Sequence, residues 1–239
     1  MKPQALITGA TGTIGEALAE KLAEDYRLTL HYCAHKEKAE QLKEKLTPLT
    51  DIDLFQADFF HPEETAQKFL EAGCTPQLIV HCAGVASPAL FQTENPLRMG
   101  REFNIAVASP AAIIQKVLPG MINEGEGKII FVSSIWGETG ASMEVTYSTC
   151  KAAQIGFVKA LAKETAPSGI RVNAVTPGAV RSPMMDNYSH DEIAALIEEI
   201  PASRLAEPSE IADCVIFLAG PAASYVNGHV LRANGAWYT

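Results

Sequence analysis

The stretch that decides the fold is T-G-A-T-G-T-I-G at Thr8–Gly15. It follows the short apolar run Gln4–Thr8 and opens directly into the amphipathic pattern Glu16–Leu22. Glycines permit a tight turn and let backbone N–H groups approach a pyrophosphate, whose negative charge the following helix N-terminus favours. A structural turn also uses glycines, but a strand, this turn and a helix in this order predict a dinucleotide-binding site.

The rest of the chain alternates short apolar runs with helical patterns. The predicted strands are Gln4–Thr8, Leu28–Cys33, Ile52–Gln56, Gln77–Cys82, Lys128–Ser133, Ile170–Val175 and His229–Arg232. The predicted helices are Thr13–Glu24, Lys36–Leu46, Pro62–Ala72, Leu97–Ile122, Thr146–Ala166 and Ser209–Ala219. This alternation predicts an α/β fold: a single doubly wound Rossmann domain over residues 1–239, with a seven-stranded parallel sheet flanked by helices.

Composition excludes several classes of function. A net charge of −9 with dispersed Lys and Arg argues against nucleic-acid binding. The first apolar run is too short for a signal peptide or a membrane span, which favours a cytoplasmic protein without membrane contact. Five cysteines without a C-x-x-C pair favour reduced thiols and no metal site.

Candidate catalytic residues follow the predicted strands or lie on the predicted helices. Tyr147 and Lys151 are four residues apart and share a helix face, a pairing that is ordinary on its own. Ser134 ends the apolar strand Lys128–Ser133, at the same edge of the sheet as the glycine turn. Asn104 lies among apolar residues of a predicted helix, where its amide needs an internal partner.

Together with these residues, a set of landmarks makes the chain resemble the short-chain dehydrogenase/reductase family over essentially its whole length. The further landmarks are the Thr8–Gly15 turn, Asp58, the H-C-A-G run at His81–Gly84, and Pro177-Gly178. The resemblance implies that Tyr147 is the general acid/base, Ser134 orients the carbonyl or alcohol, Lys151 supports Tyr147 and the nicotinamide ribose, and Asn104 anchors a relay water. Because an adjacent ammonium stabilises a phenolate, we expect Lys151 to lower the pKa of Tyr147.

The cofactor expected from the resemblance is NADP (NADPH). No acid stands between His31 and Lys36, where an NAD-preferring site normally has one, and His35 and Lys36 are available to a 2′-phosphate. The alternative is a solvated helix start. The expected cofactor-binding residues are Gly9, Thr11, Gly12, Thr13, Ile14, Gly15, His35, Lys36, Asp58, Phe59, Cys82, Ala83, Gly84, Tyr147, Lys151, Pro177, Gly178, Val180 and Ser182.

The substrate side is expected to be apolar. Residues 182–206 correspond to the family's variable substrate lid, and the expected substrate-binding residues are Ser134, Trp136, Tyr147, Met184 and Met185. The likeness to 3-oxoacyl-acyl-carrier-protein reductases implies reduction of a ketone, a small molecule or acyl thioester, with an acyl carrier protein as a candidate partner. Gly125 and Ser168 stand where such reductases often carry docking arginines. The alternatives are a ketoreductase of another small ketone or alcohol and a non-catalytic NADP-binding protein. The family also implies a homotetramer.

Overall fold

Seven parallel strands form one sheet in the computed structural model, which describes residues 2–183 and 189–239. They are β1 (Gln4–Thr8), β2 (Arg27–Tyr32), β3 (Ile52–Gln56), β4 (Leu78–His81), β5 (Gly127–Val132), β6 (Ile170–Pro177) and β7 (Val230–Ala233). Their order is β3-β2-β1-β4-β5-β6-β7, and every neighbouring pair is parallel. Strand order therefore reverses between β1 and β4, where a doubly wound sheet opens a ligand crevice.

Helices cover both faces of this sheet. They are α1 (Thr13–Leu22), α2 (Lys36–Leu46), α3 (Pro62–Glu71), α4 (Pro96–Phe103), α5 (Ser109–Glu124), α6 (Trp136–Thr139), α7 (Val145–Thr165), α8 (His190–Glu199) and α9 (Pro208–Ala219). The predicted fold class is confirmed, and most predicted boundaries lie within one or two residues of these. The short α6 and the helix α8 were not among the predicted helices.

Adjacent residues of each central strand face different halves of the core. Ile7 and Val80 pack with α1 and α9 on one side of the sheet. Leu6 and Ile79, their neighbours along the chain, pack with α3, α5 and α7 on the other side. Because both faces are buried, these strands show continuous apolar runs rather than alternation.

The predicted helix Leu97–Ile122 is interrupted. A π-helical turn at Asn104–Ala108 separates α4 from α5, and the Ser109 N–H donates to the Asn104 carbonyl five residues back. Pro110 has no N–H to give to the Ala106 carbonyl, which instead accepts from Gln154 Nε2 at 2.9 Å. The widened turn is therefore the local response to proline, stabilised by a side chain of α7.

Taken together, α4, the π-helical turn and α5 (Pro96–Glu124) are long and apolar enough to cross a membrane, with a mean hydropathy of 1.5 in the most apolar window. Of that window, 39% is buried inside the protein. Ile113, Ile114 and Val117 of α5 belong to the core beside the sheet. These contacts are those of a core helix, which passes the same test of length and composition.

A β-bridge closes the base of the predicted lid. Val180 pairs with Ala206 in parallel, the Arg181 N–H donates to the Ala206 carbonyl, and the Ala206 N–H donates to the Ala179 carbonyl. Arg181, which has no evident role in the sequence, forms an ion pair with Glu207, with its Nε 2.8 Å from Oε1. Within the segment, α8 begins at a capping box formed by Ser189 and Glu192.

Candidate active site

The glycine turn is packed so closely that two of its glycines cannot carry a side chain. Gly9 has φ +67°, and a Cβ there would lie 2.8 Å from the Ala83 backbone nitrogen. A Cβ on Gly15 would lie 2.3 Å from the Gly9 carbonyl oxygen. Gly12 precedes α1 in an extended conformation without a side-chain cap, so the first N–H groups of α1 remain free to meet an anion.

Two buried histidines form hydrogen bonds to residues of the glycine turn. His31 on β2 accepts a hydrogen bond from the Gly9 N–H at 3.0 Å through Nδ1 and donates from Nε2 to the Ala57 carbonyl at 3.1 Å. His81 at the end of β4 lies 2.8 Å from the Thr8 hydroxyl through its Nδ1. Burial lowers the pKa of His31 to about 4 and that of His81 well below 6.5, so both rings are neutral at pH 7.

The ring of Phe59 lies between these histidines. It stacks on His31 with the ring centroids 4.0 Å apart, and on His81 at 6.2 Å. Its carbonyl accepts from the Ser109 hydroxyl at 2.7 Å. Phe59, predicted as a cofactor contact, thus uses its ring and carbonyl inside the core, whereas His31 emerges as support for the glycine turn. The sequence carried no signal for that role beyond a polar residue in an apolar strand.

A cleft of about 280 Å³ opens at the carboxyl ends of the central strands, above this turn. It brings together most of the predicted site residues, from all the segments that follow β1, β4, β5 and β6. Those that line it are Gly9, Gly12, Thr13, Ile14, Gly15, Cys82, Gly84, Ser134, Tyr147, Lys151, Pro177, Gly178, Val180 and Ser182. Four further lining residues were missed by the sequence analysis: Val85, Ala86, Val132 and Ser133. They adjoin predicted residues along the chain, and proximity to the motif was their only signal.

Lys151 is buried within the cleft wall. It is 5% exposed, and its Nζ donates to the Val132 carbonyl at 2.9 Å. The carbonyl of Lys151 in turn accepts from the Ser133 hydroxyl at 2.9 Å. Burial lowers the pKa of Lys151 to about 8, so the ammonium form predominates at pH 7. The loss of water around this charge is unfavourable for the folded state.

The phenol of Tyr147 is protonated at neutral pH. Burial raises the pKa of Tyr147 to about 12, a hydrogen bond with Ser134 opposes that rise, and the charges of Glu144 and Glu102 add to it. Burial therefore outweighs the lowering of the Tyr147 pKa that is expected from Lys151. The Lys151 ammonium lies 5.6 Å from the centre of the Tyr147 ring and donates a hydrogen bond to the Val132 carbonyl.

Other predicted residues lie outside the cleft lining. The Asn104 amide donates to the Phe60 carbonyl at 3.0 Å. This hydrogen bond is the internal partner that was predicted for the amide. The relay water that the resemblance assigns to Asn104 stays a prediction. Trp136 meets Trp237 edge to face at 5.1 Å. The remaining residues that do not line the cleft are Thr11, Asp58 and Ala83, and Met184 and Met185 fall outside the described residues.

His35 and Lys36 line a separate, shallow depression beyond the end of β2. It has a volume of about 490 Å³, and Lys38 and Glu37 line it as well. The ammonium of Lys38 lies 3.2 Å from a carboxylate oxygen of Glu16, on the first turn of α1. Lys38 thus connects this depression to the helix that begins at the glycine turn.

Comparisons with known proteins agree with this architecture. A family model described as enoyl-(acyl carrier protein) reductase matches residues 9–236. An uncharacterised oxidoreductase of Bacillus subtilis, YmfI, is 44% identical over 242 residues, with 100% of both chains covered. An acetoacetyl-CoA reductase of Allochromatium vinosum is 33% identical, with 98% of both chains covered.

Among solved structures, a 3-oxoacyl-[acyl-carrier protein] reductase of Brucella melitensis with bound NAD superposes with a TM-score of 0.89 at 26% identity. The match covers 99% of this chain and 91% of that one. The fold, the residues of the cleft and the sequence relatives thus all indicate the same family. The chain belongs to the short-chain dehydrogenase/reductase family of oxidoreductases, among relatives of the 3-oxoacyl-acyl-carrier-protein reductase type.

Proposed function

We propose that this chain reduces the ketone of a 3-oxoacyl thioester to a secondary alcohol, with NADPH as the reductant. The observation that carries the proposal is one cleft that holds a protonated Tyr147, its partner Ser134 and the buried Lys151 beside the glycine turn. A binding protein without turnover has no need for the paired hydroxyls of Ser134 and Tyr147 in this cleft. The family membership and the acetoacetyl-CoA reductase relative support a carbonyl substrate.

The cleft suits a nicotinamide dinucleotide. The glycine turn leaves no room for a side chain at Gly9 or Gly15, and the uncapped start of α1, at Thr13 and Ile14, lines the cleft. These features would hold the pyrophosphate, and the residues after β6, Gly178, Val180 and Ser182, would border the nicotinamide. When bound, the reduced cofactor supplies a hydride to the carbonyl carbon.

The protein's own residues handle the oxygen. As the C=O bond is reduced, negative charge develops on its oxygen, and the hydroxyls of Ser134 and Tyr147 stabilise it as donors. Tyr147 then transfers its proton to that oxygen, which completes the C–O–H group and leaves a phenolate. The nearby Lys151 ammonium offsets the charge of the phenolate until a solvent proton restores the phenol. The phenol of Tyr147 is fully protonated at neutral pH, as a proton donor in this direction must be.

We attribute the proposed preference for NADPH over NADH to the depression at the start of α2. His35, Lys36 and Lys38 line it with one carboxylate, that of Glu37, and Lys36 and Lys38 also form ion pairs with Glu40 and Glu16. The three side chains would donate to a 2′-phosphate beyond the end of β2. The ratio of kcat/KM for NADPH to that for NADH, with one ketone, tests the preference, and a ratio at or below one refutes it. Lys36→Ala and Lys38→Ala should lower the ratio several-fold, whereas Lys43→Ala, two turns along the same helix, is the matched control.

The experiment that tests the activity follows absorbance of the reduced cofactor with purified protein. Acetoacetyl-CoA should be reduced, whereas a crotonyl thioester should not, because it has no ketone for Ser134 and Tyr147 to bind and protonate. Reduction of the crotonyl thioester alone would refute the proposal. Turnover of small ketones without thioesters would instead support the alternative of a general ketoreductase.

A carrier-protein substrate is the narrower form of this proposal. Gly125 ends α5 with φ +69° and Ser168 lies in the turn before β6, so neither position provides a docking cation. Salt-sensitive reduction of acetoacetyl-carrier protein, faster than that of acetoacetyl-CoA, would support docking through other basic residues. Equal rates that salt does not change would leave the CoA thioester as the substrate.

The proposed assembly is a cytoplasmic homotetramer of single-domain subunits, each closed over its substrate by the lid at residues 182–206. The exposed apolar side chains Leu97, Phe103 and Ile122 on α4 and α5 support an interface along these helices. Light scattering should give about four times the 25.6 kDa of one chain. A mass near that of the single chain would refute the assembly.

A further inference from the structure

The short helix α6 connects the catalytic elements of the cleft. It begins two residues after Ser134, whose Oγ accepts from the Trp136 N–H at 3.2 Å. Its Gly137 packs against the backbone of Lys151 so closely that a Cβ would lie 2.7 Å from the Lys151 carbonyl carbon. Any shift of α6 would therefore move Ser134 relative to Lys151 and Tyr147 on α7.

One buried carboxylate ties α6 to the last two strands. Glu138 has a side chain that is 11% exposed, and its Oε1 accepts from the Thr176 hydroxyl of β6 at 2.7 Å. Its Oε2 accepts from Arg232 of β7 through both Nε and Nη2, each at 2.8 Å. The guanidinium of Arg232 also lies over the ring of Tyr238, 4.8 Å from its centre.

The C-terminal segment, residues 234–239, packs against the same helix. Trp237 contacts Trp136 with the rings at 68° and 5.1 Å apart, a favourable edge-to-face arrangement. These are the only two tryptophans in the chain. The Asn234 amide donates to the Tyr238 carbonyl at 2.8 Å, and the Ala202 N–H donates to the Gly235 carbonyl at 3.0 Å. The segment is thus held in place at the base of the lid.

We propose that Trp237 and Arg232 are positioning residues of the reductase site, which hold α6 against α7 and thereby fix Ser134 relative to Tyr147. The inference rests on the proposed function, because its effect is on carbonyl reduction. Neither residue lines the cleft, so both act through α6. The aromatic pair sets the position of α6 on one side, and the ion pair with Glu138 sets it on the other.

The test compares Trp237→Ala with Trp237→Phe, and uses Tyr225→Ala as the control, since the Tyr225 side chain is fully exposed. A small displacement of a catalytic group can lower turnover by up to about 10²-fold, so we expect Trp237→Ala to lower kcat by about 10- to 100-fold. The Kd for NADPH should stay within about twofold of wild type, because the glycine turn is not touched. Trp237→Phe should restore most of the turnover, since it keeps an aromatic edge-to-face contact.

Tryptophan fluorescence reports the contact independently of turnover. In Trp237→Ala the remaining emission comes from Trp136 and should shift to the red as the indole gains contact with water, whereas Trp237→Phe should shift it less. If Trp237→Ala does not fold, Arg232→Gln provides the second variant, and a several-fold loss of kcat at unchanged NADPH affinity is expected from it.

Normal kcat in Trp237→Ala, equal losses in the Ala and Phe variants, or parallel losses of kcat and NADPH affinity would overturn the proposal. The last two results are those of a general loosening of the fold. Failure of the proposed function looks different, because the wild-type protein itself would then not reduce a ketone.

Discussion

Replacement of Lys151 by methionine separates the contribution of the ammonium to turnover from its effect on the stability of the fold. Methionine has a similar length and no charge, so it fills the space of the side chain without the desolvated ammonium. Burial lowers the pKa of Lys151 from 10.5 to about 8. Between these two values the unfolded wild-type chain binds more protons than the folded one, so the stability of the wild type rises with pH in that window.

The size of this rise follows from the shift in pKa. At 1.36 kcal/mol per pH unit, wild type should gain roughly 2.5 kcal/mol relative to Lys151→Met between pH 7 and pH 10. For a protein of this size that corresponds to about 5–10 °C in the difference of Tm. At pH 7 the variant escapes the cost of the buried charge but leaves the Val132 carbonyl without its donor, about 1–3 kcal/mol in the opposite direction.

The assay is denaturant unfolding of both proteins without cofactor at pH 7, 8, 9 and 10. Groups that titrate alike in both proteins cancel in the difference, and Lys163→Met, exposed on the same helix, is the matched control for the loss of a lysine. Turnover of Lys151→Met should be lost at every pH. Stability differences that do not change between pH 7 and pH 10 would refute the burial of a charged Lys151.

Three further predictions concern His31, the glycine turn and α6. Since folding lowers the pKa of His31 from 6.5 to about 4, stability should fall by about 3 kcal/mol as pH drops through that window, and His31→Gln should remove that part of the slope in acid unfolding curves. Gly15→Ala should abolish NADPH binding in a fluorescence titration, because its Cβ would overlap the Gly9 carbonyl, whereas Gly100→Ala, which meets no atom within 4 Å, should bind normally. Gly137→Ala should lower kcat more than NADPH affinity, because it forces α6 away from Lys151; equal losses would contradict this.

Much of the fold was predictable because its determinants are local. The central strands are mainly apolar runs, and the helices begin near turn residues. Gln4–Thr8 and Lys36–Leu46 have the predicted bounds. Pro110 is the sequence signal for the interruption of the helix at Asn104. One proline, however, does not reveal whether a helix kinks, ends or widens. Gln154, which satisfies the freed carbonyl, lies 48 residues away from it.

The candidate site was predictable in its residues and less so in its electrostatics. The spacing of Tyr147 and Lys151 indicates proximity, but their pKa values depend on burial, and burial depends on the whole fold. The same holds for His31, whose role depends on the position of Gly9 above it. Trp136 and Trp237 are 101 residues apart in the sequence, and no local pattern pairs them.

The most direct test of the proposed mechanism is the turnover of Tyr147→Phe with acetoacetyl-CoA and NADPH. Phenylalanine keeps the packing of the ring and removes only the hydroxyl that gives its proton to the carbonyl oxygen. We expect kcat to fall by about 10²- to 10⁴-fold while the Kd for NADPH and the Tm stay close to those of wild type. Turnover within a few-fold of wild type would show that Tyr147 is not the proton donor and would contradict the mechanism.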